Sequence, residues 1–158
     1  LIGLTRDYPV DVRFIEEMPF NGGSHQPVLR WNANRILEHI TAHYPDIGKI
    51  PDTPNSTSCG YHIPGHQGNV GIIAAYSRSF CGTCNRVRIT PTGVLRTCLY
   101  DHGKLNLKDA IREGMNDEEL TTLISRAILK KARDGWEAEA SRNSDHGPAY
   151  ESMATIGG

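Results

Sequence analysis

The sequence predicts a mixed α/β chain, and three observations carry that prediction. Val10, Val12 and Phe14 alternate with polar or charged neighbours, the period of a half-buried strand. Ala33, Leu37, Ile40 and Tyr44 recur at helical spacing behind Asn32 and Asn34, either of which suits an N-cap. Asn116 with Glu119 three residues on has the form of a capping box, and Leu120, Leu123, Ile124, Ala127 and Ile128 then make one apolar face.

The elements follow in order. Pro19 and Asn21-Gly22-Gly23 break the first strand, and Pro45 ends the first helix. Residues 45–57, PDIGKIPDTPNST, read as an irregular connection. Residues 59–63 and 70–76 read as strands, the second buried because it is apolar on both parities. A hairpin is expected from 85–90 and 94–99, turning at Pro91 and Gly93. Two helices come next, the second being the capped one, which Gly135 should stop. From Glu139 onward the sequence is polar and aperiodic. Internal repeats and long low-complexity tracts are absent.

The 158 residues suffice for a domain with a real core, and 17 basic residues against 18 acidic ones give no global attraction to nucleic acid or a membrane surface. No apolar run approaches the roughly 20 residues of a membrane span. The start, Leu1 to Asp7, is too short an apolar stretch for a signal peptide. Because the chain begins at Leu rather than Met, it reads as part of a longer protein. Four cysteines without a secretory signal point to metal or redox chemistry rather than a disulfide framework, and to the cytoplasm.

Three of those cysteines lie in FCGTCNRVRITPTGVLRTCLY, residues 80–100, as C-x2-C-x13-C. If Ile89 faces Val94 across the hairpin, Cys98 faces Asn85 and returns beside Cys84. Cys81, Cys84 and Cys98 then form one three-thiolate site. Cys59 reads as a small core residue. With His102 as a fourth ligand, the site would be a closed Cys3His zinc centre in a non-catalytic interaction module. The other reading is a 4Fe–4S cluster on three thiolates, with one iron left open for substrate. Arg86 and Arg88, two apart on the expected strand, share a face with Cys84 and favour the second reading: two guanidinium forks make a receptor for phosphate oxygens. Solvated surface arginines are the plain alternative. A ferredoxin-like electron carrier would have a fourth ligand and no arginine pair.

This stretch resembles the C-terminal cluster motif of the GTP 3′,8-cyclase family of molybdenum cofactor biosynthesis, which belongs to the radical S-adenosylmethionine (SAM) enzymes. DVRFIEEMPFNG at 11–22 and the terminal Ile156-Gly157-Gly158 resemble the same family. The resemblance implies that residues 1–50 are the last strand–helix portion of an incomplete parallel (TIM-like) α/β barrel, with residues 51–158 forming a small α+β cap that carries the cluster and a Gly-Gly tail. It implies that Cys81, Cys84 and Cys98 hold a 4Fe–4S cluster and that Arg13, Arg86, Val87 and Arg88 line the GTP site. Met18 would touch SAM, and Gly157 and Gly158 would act in the catalytic site. Taken without the resemblance, Arg13 reads as a salt-bridged sheet residue, Met18 as core packing and the two glycines as a frayed end.

The family's reaction, carried over, begins with reductive cleavage of SAM at a second 4Fe–4S cluster in an N-terminal half. The 5′-deoxyadenosyl radical takes a hydrogen from the ribose of GTP, and the ribose carbon attacks C8 of the guanine. The resemblance further implies a homodimer in full-length form and a product passed to cyclic pyranopterin monophosphate synthase. This chain lacks the family's C-x3-C-x2-C motif, so alone it should bind GTP at best without turnover. Glu17 stands where the family has an aromatic residue, and Cys59 matches no family ligand.

Overall fold

In the computed structural model, residues 1–18, 20, 29–146 and 151–156 are described, without the side chains of 143–146 and of Ala154. The breaks expected at Pro19 and at Asn21-Gly22-Gly23 lie outside these residues, as do Gly157 and Gly158. The chain divides into two compact units, Leu1–Pro19 with Gln26–Cys84, and Phe20–His25 with Asn85–Gly158.

The first unit is built on a mixed sheet. Helix α1 (Gly3–Asp7) precedes β1 (Asp11–Ile15), then come α2 (Ala33–His43), β2 (Gly48–Lys49), β3 (Ser58–His62) and β4 (Asn69–Ile73). The strand order is β1-β4-β3-β2. β1 lies parallel to β4, from Asp11 opposite Asn69 to Ile15 opposite Ile73, while β3 pairs antiparallel with both β4 and β2. A parallel pair needs a crossover, and α2 lies in it. As its two-sided apolar pattern predicts, β4 is an inner strand, with Val70, Gly71 and Ile72 all buried. Asn32 caps α2 by accepting the Arg35 N–H at 2.9 Å. The helix turns Ile36 and Ile40 into a core with Ile63, Val70 and Ile72, and Leu37 is only partly buried. β2 was not expected: two residues are too few to show a period.

The second unit holds an antiparallel sheet of β5 (Arg88–Ile89), β6 (Val94–Arg96) and β7 (Leu105–Asn106). The hairpin between residues 85 and 99 exists, but its register differs from the expected one. Ile89 pairs with Leu95, not Val94, and Arg88 pairs with Arg96. The turn decides this. Pro91, Thr92 and Gly93 form a three-residue loop closed by Thr90 N–H to the Val94 carbonyl at 2.9 Å, with Gly93 at φ +87°. A three-residue hairpin loop needs a left-handed residue at that point, and glycine takes it without a Cβ clash. The ladder is also shorter than expected, so Arg86 precedes it.

Among the described residues, four helices complete this unit: α3 (Leu107–Arg112), α4 (Asp117–Leu129), α5 (Gly135–His146) and α6 (Met153–Ile156). The capping box of α4 is reciprocal. Asn116 accepts the Glu119 N–H and Glu119 accepts the Asn116 N–H, both at 3.0 Å. Asn116→Ala removes one of these bonds and should lower stability by about 1 kcal/mol, read as a reduced midpoint in urea unfolding. Gly135 does not stop α4, which ends at Leu129; it is instead the first residue of α5. Asp134 accepts the N–H groups of Trp136 and Glu137, at 3.0 and 2.9 Å, and the Glu137 N–H first holds its carboxyl below the usual range. The polar stretch from Glu139 is thus partly helical, with Ala138 and Arg142 buried one turn apart. Among the described residues no helix is long and apolar enough to cross a membrane.

Candidate functional site

Cys81 and Cys84 belong to the first unit, where a buried carboxylate organises the approach to them. Glu16, directly after β1, is 1% exposed. Its carboxylate accepts the Ala33 N–H at the start of α2, and the N–H and hydroxyl of Ser77, each at 2.7 Å. Three donors offset the cost of removing that charge from water. The chain after β4 is thereby fastened at Ser77. Arg78 follows at φ +56° and is itself buried. Its left-handed backbone reverses the chain, and its carbonyl accepts the Cys81 N–H at 3.1 Å. A single 3₁₀ turn, Cys81–Thr83, then closes with the Cys84 N–H on the Cys81 carbonyl at 3.1 Å. Both side chains are partly exposed.

Cys98 belongs to the second unit, in the loop leaving β6. Asp101 shapes this loop. One carboxylate oxygen accepts the Thr97 N–H and hydroxyl and the Cys98 N–H at 2.9–3.1 Å, and the other accepts the Gly103 N–H at 3.0 Å. The Tyr100 N–H points at the Cys98 sulfur at 3.5 Å. Such a bond favours negative charge on sulfur, which suits a metal-binding thiolate. The Tyr100 ring meets Phe20 with centroids 5.0 Å apart. Arg96, 6% exposed, donates to the Asp101 carbonyl at 3.0 Å and to the Glu151 carboxylate at 2.8 Å. His102 Nδ1 lies 3.8 Å from the other Glu151 oxygen. A cavity of about 420 Å³ beside this loop is lined by Thr97, Asp101, His102, Lys104, Lys130 and Arg142, among others.

The remaining expected site residues are placed as follows. Arg13 lies on β1 and pairs with Asp11 at 3.4 Å, mostly exposed. Met18 is half-buried. Arg86 and Arg88 are half-buried between exposed Asn85, Val87 and Ile89, so the alternation expected of a strand holds although the ladder starts only at Arg88. The Arg86 carbonyl accepts Lys131 Nζ at 3.0 Å. Cys59 is half-buried on β3 opposite Ile72 rather than fully in the core. Burial pushes the Tyr61 hydroxyl above its usual pKa, with a smaller electrostatic push from Cys59. Within either unit, no three His, Cys, Asp or Glu side chains among the described residues are arranged to hold a metal.

The model of the family described as Molybdenum Cofactor Synthesis C matches residues 10–136, which take in all three cysteines and both arginines. The chain belongs to that family. Its similarity to a GTP 3′,8-cyclase from Chlorobaculum tepidum is 37% identity over 159 aligned positions, covering 99% of this chain and 46% of that protein. A mitochondrial GTP 3′,8-cyclase of Arabidopsis thaliana is 34% identical over 82% of this chain and 33% of its own length. The human molybdenum cofactor biosynthesis protein 1 is 38% identical over 82% of this chain and 20% of its own length. The chain therefore spans from a fifth to about half of the relatives it matches. These likenesses bear out the resemblance to the C-terminal region of the GTP 3′,8-cyclases.

Sequence reasoning passed over Glu16, Arg96, Asp101 and Glu151. Asp101 had a usable signal, since an aspartate three residues after Cys98 can accept backwards onto the loop it closes. Asp134-x-x-Glu137 repeats the spacing read at Asn116-x-x-Glu119 and would have located the start of α5.

Proposed function

We propose that this chain is the substrate-binding part of a radical SAM GTP 3′,8-cyclase, with Cys81, Cys84 and Cys98 as ligands of a 4Fe–4S cluster. The observation that carries the reading is the donor set. All three cysteines are partly exposed, two on one turn and the third with an N–H aimed at its sulfur. Soft thiolates of this kind suit iron–sulfur ligation, and three of them leave one iron without a protein ligand. When bound, the cluster supplies an open coordination position for the purine of GTP.

In this reading the work of the chain is positioning and charge neutralisation. Arg86 and Arg88 present guanidinium groups to the nucleotide, with Val87 between them, and Arg13 approaches it from β1. Met18 contacts SAM, which the rest of the longer protein binds together with a second 4Fe–4S cluster. Gly157 and Gly158 reach into the active site. Residues 1–50 supply a strand and helix of an incomplete barrel, and residues 51–158 the cluster-bearing cap. The full-length protein is a homodimer and hands its cyclised product to a cyclic pyranopterin monophosphate synthase. Its cysteines suit a reducing compartment, and we assign it to the cytoplasm.

The test uses full-length enzyme reconstituted anaerobically with iron and sulfide, titrated with GTP while the paramagnetic spectrum of the cluster is followed. GTP should perturb that spectrum. Arg86→Ala and Arg88→Ala should each weaken GTP by roughly tenfold or more, since a charged hydrogen bond is worth ~1.5–3 kcal/mol. Arg88→Ala should leave the cluster spectrum without GTP unchanged. Unaltered GTP affinity in both variants would overturn the assignment of the arginines.

A further inference from the structure

Arg96 lies at the end of β6, two residues before Cys98, and its side chain is 7% exposed. Its guanidinium serves two partners. One nitrogen donates to the Asp101 carbonyl at 3.0 Å, and Asp101 in turn holds Thr97, Cys98 and Gly103 through its carboxylate. Another nitrogen donates to Glu151 at 2.8 Å, 55 residues away in sequence. From Glu151 the chain is fastened twice more. The Met153 N–H donates to the Phe20 carbonyl at 3.3 Å, and Ile156 is fully buried. Phe20 itself packs on Tyr100, whose N–H points at the Cys98 sulfur.

We infer that the Arg96–Glu151 pair is a latch that sets the position of the segment leading to Gly157 and Gly158 and ties it to the loop carrying Cys98. Arg96 and Glu151 are positioning residues, and the inference rests on the reading above that Gly157 and Gly158 act in the catalytic site. A planar guanidinium can hold a carbonyl and a carboxylate at once in fixed geometry, whereas an ammonium is a point charge on a flexible stem. A surface ion pair would contribute little, and Glu151 is 34% exposed, but the Arg96 side chain is only 7% exposed, so removing the carboxylate leaves the Arg96 charge buried without it, which is costly. The latch at Glu151 and the plug at Ile156 flank the short helix Met153–Ile156, which directly precedes Gly157 and Gly158.

The experiment compares Glu151→Gln, Arg96→Lys and the parent in the full-length, cluster-loaded enzyme. Three readings are taken: the rate at which carboxypeptidase releases the terminal residues, the paramagnetic spectrum of the cluster, and the yield of cyclised nucleotide. Glu151→Gln keeps the shape of the side chain and removes only the tail-side charge. It should raise terminal release by roughly tenfold, the equivalent of one lost charged hydrogen bond, and lower product, with the cluster spectrum unchanged. Arg96→Lys should raise terminal release and also alter the spectrum, because it disturbs the Asp101 side as well. Urea unfolding of both variants checks that they remain folded. Parent-like terminal release in folded Glu151→Gln would overturn the latch. If release rises but product does not fall, and deletion of Gly157 and Gly158 is also harmless, the catalytic role of the tail fails while the latch stands as a structural tie.

Discussion

Cys81→Ser, Cys84→Ser and Cys98→Ser should each strip the full-length enzyme of the substrate-side cluster, with about half of its iron and acid-labile sulfide lost, while His102→Ala retains both. Serine preserves the shape of the side chain but replaces a soft sulfur with a hard oxygen, so ligation is removed with little change to the local backbone. The backbone around each cysteine is held by other groups. The Cys81 and Cys84 turn closes on main-chain bonds, and the Cys98 loop is shaped by Asp101. Metal and sulfide content after anaerobic reconstitution is the measurement. The competing zinc reading has one observation of its own. His102 Nδ1 faces Glu151 at 3.8 Å, and a metal-bound histidine commonly directs its other nitrogen at a carboxylate. Zinc in the parent protein, lost in His102→Ala, would make the site a Cys3His centre and remove the open iron from the mechanism.

Deletion of Gly157 and Gly158 from the full-length chain should lower cyclised product by roughly a hundredfold, the scale expected when a group near the reacting atoms is misplaced. Folding and cluster content should survive. The anchor lies upstream, in the Arg96–Glu151 pair and in Ile156, which is fully buried. Product formed at the parent rate would reduce the glycines to an ordinary terminus. Assaying product beside iron content separates loss of catalysis from loss of the cluster.

Sequence pattern was a good guide wherever one physical rule acted over a long stretch. The α4 capping box, the two-sided apolar run of β4 and the alternation of β1 all appear in the structure. Elements of two residues, β2 and β7, are too short to carry a period. Helix α5 escaped because its buried positions include Arg142, a residue counted as polar when apolar spacing is sought. The hairpin was legible but not its register, since a four-residue and a three-residue loop differ by one position and only the conformation of Gly93 separates them. At the candidate site, spacing singled out the cysteines and the arginine pair as candidates. The residues that hold them were not. Glu16, Arg96 and Glu151 reach their partners across 61, 5 and 55 positions of sequence, and such distances follow from the folded path rather than from local pattern.

The Glu16 carboxylate fastens the first residue of α2 and Ser77 to the end of β1. Local opening of a protein spreads through contiguous cooperative units, and this one side chain makes three segments members of the same unit. The start of the helix cannot fray without withdrawing a donor from a charge that water does not reach. The segment before the C-x-x-C turn is bound to the same event. Cys81 and Cys84 thus take their rigidity from the sheet and the helix, not from the short turn on which they sit.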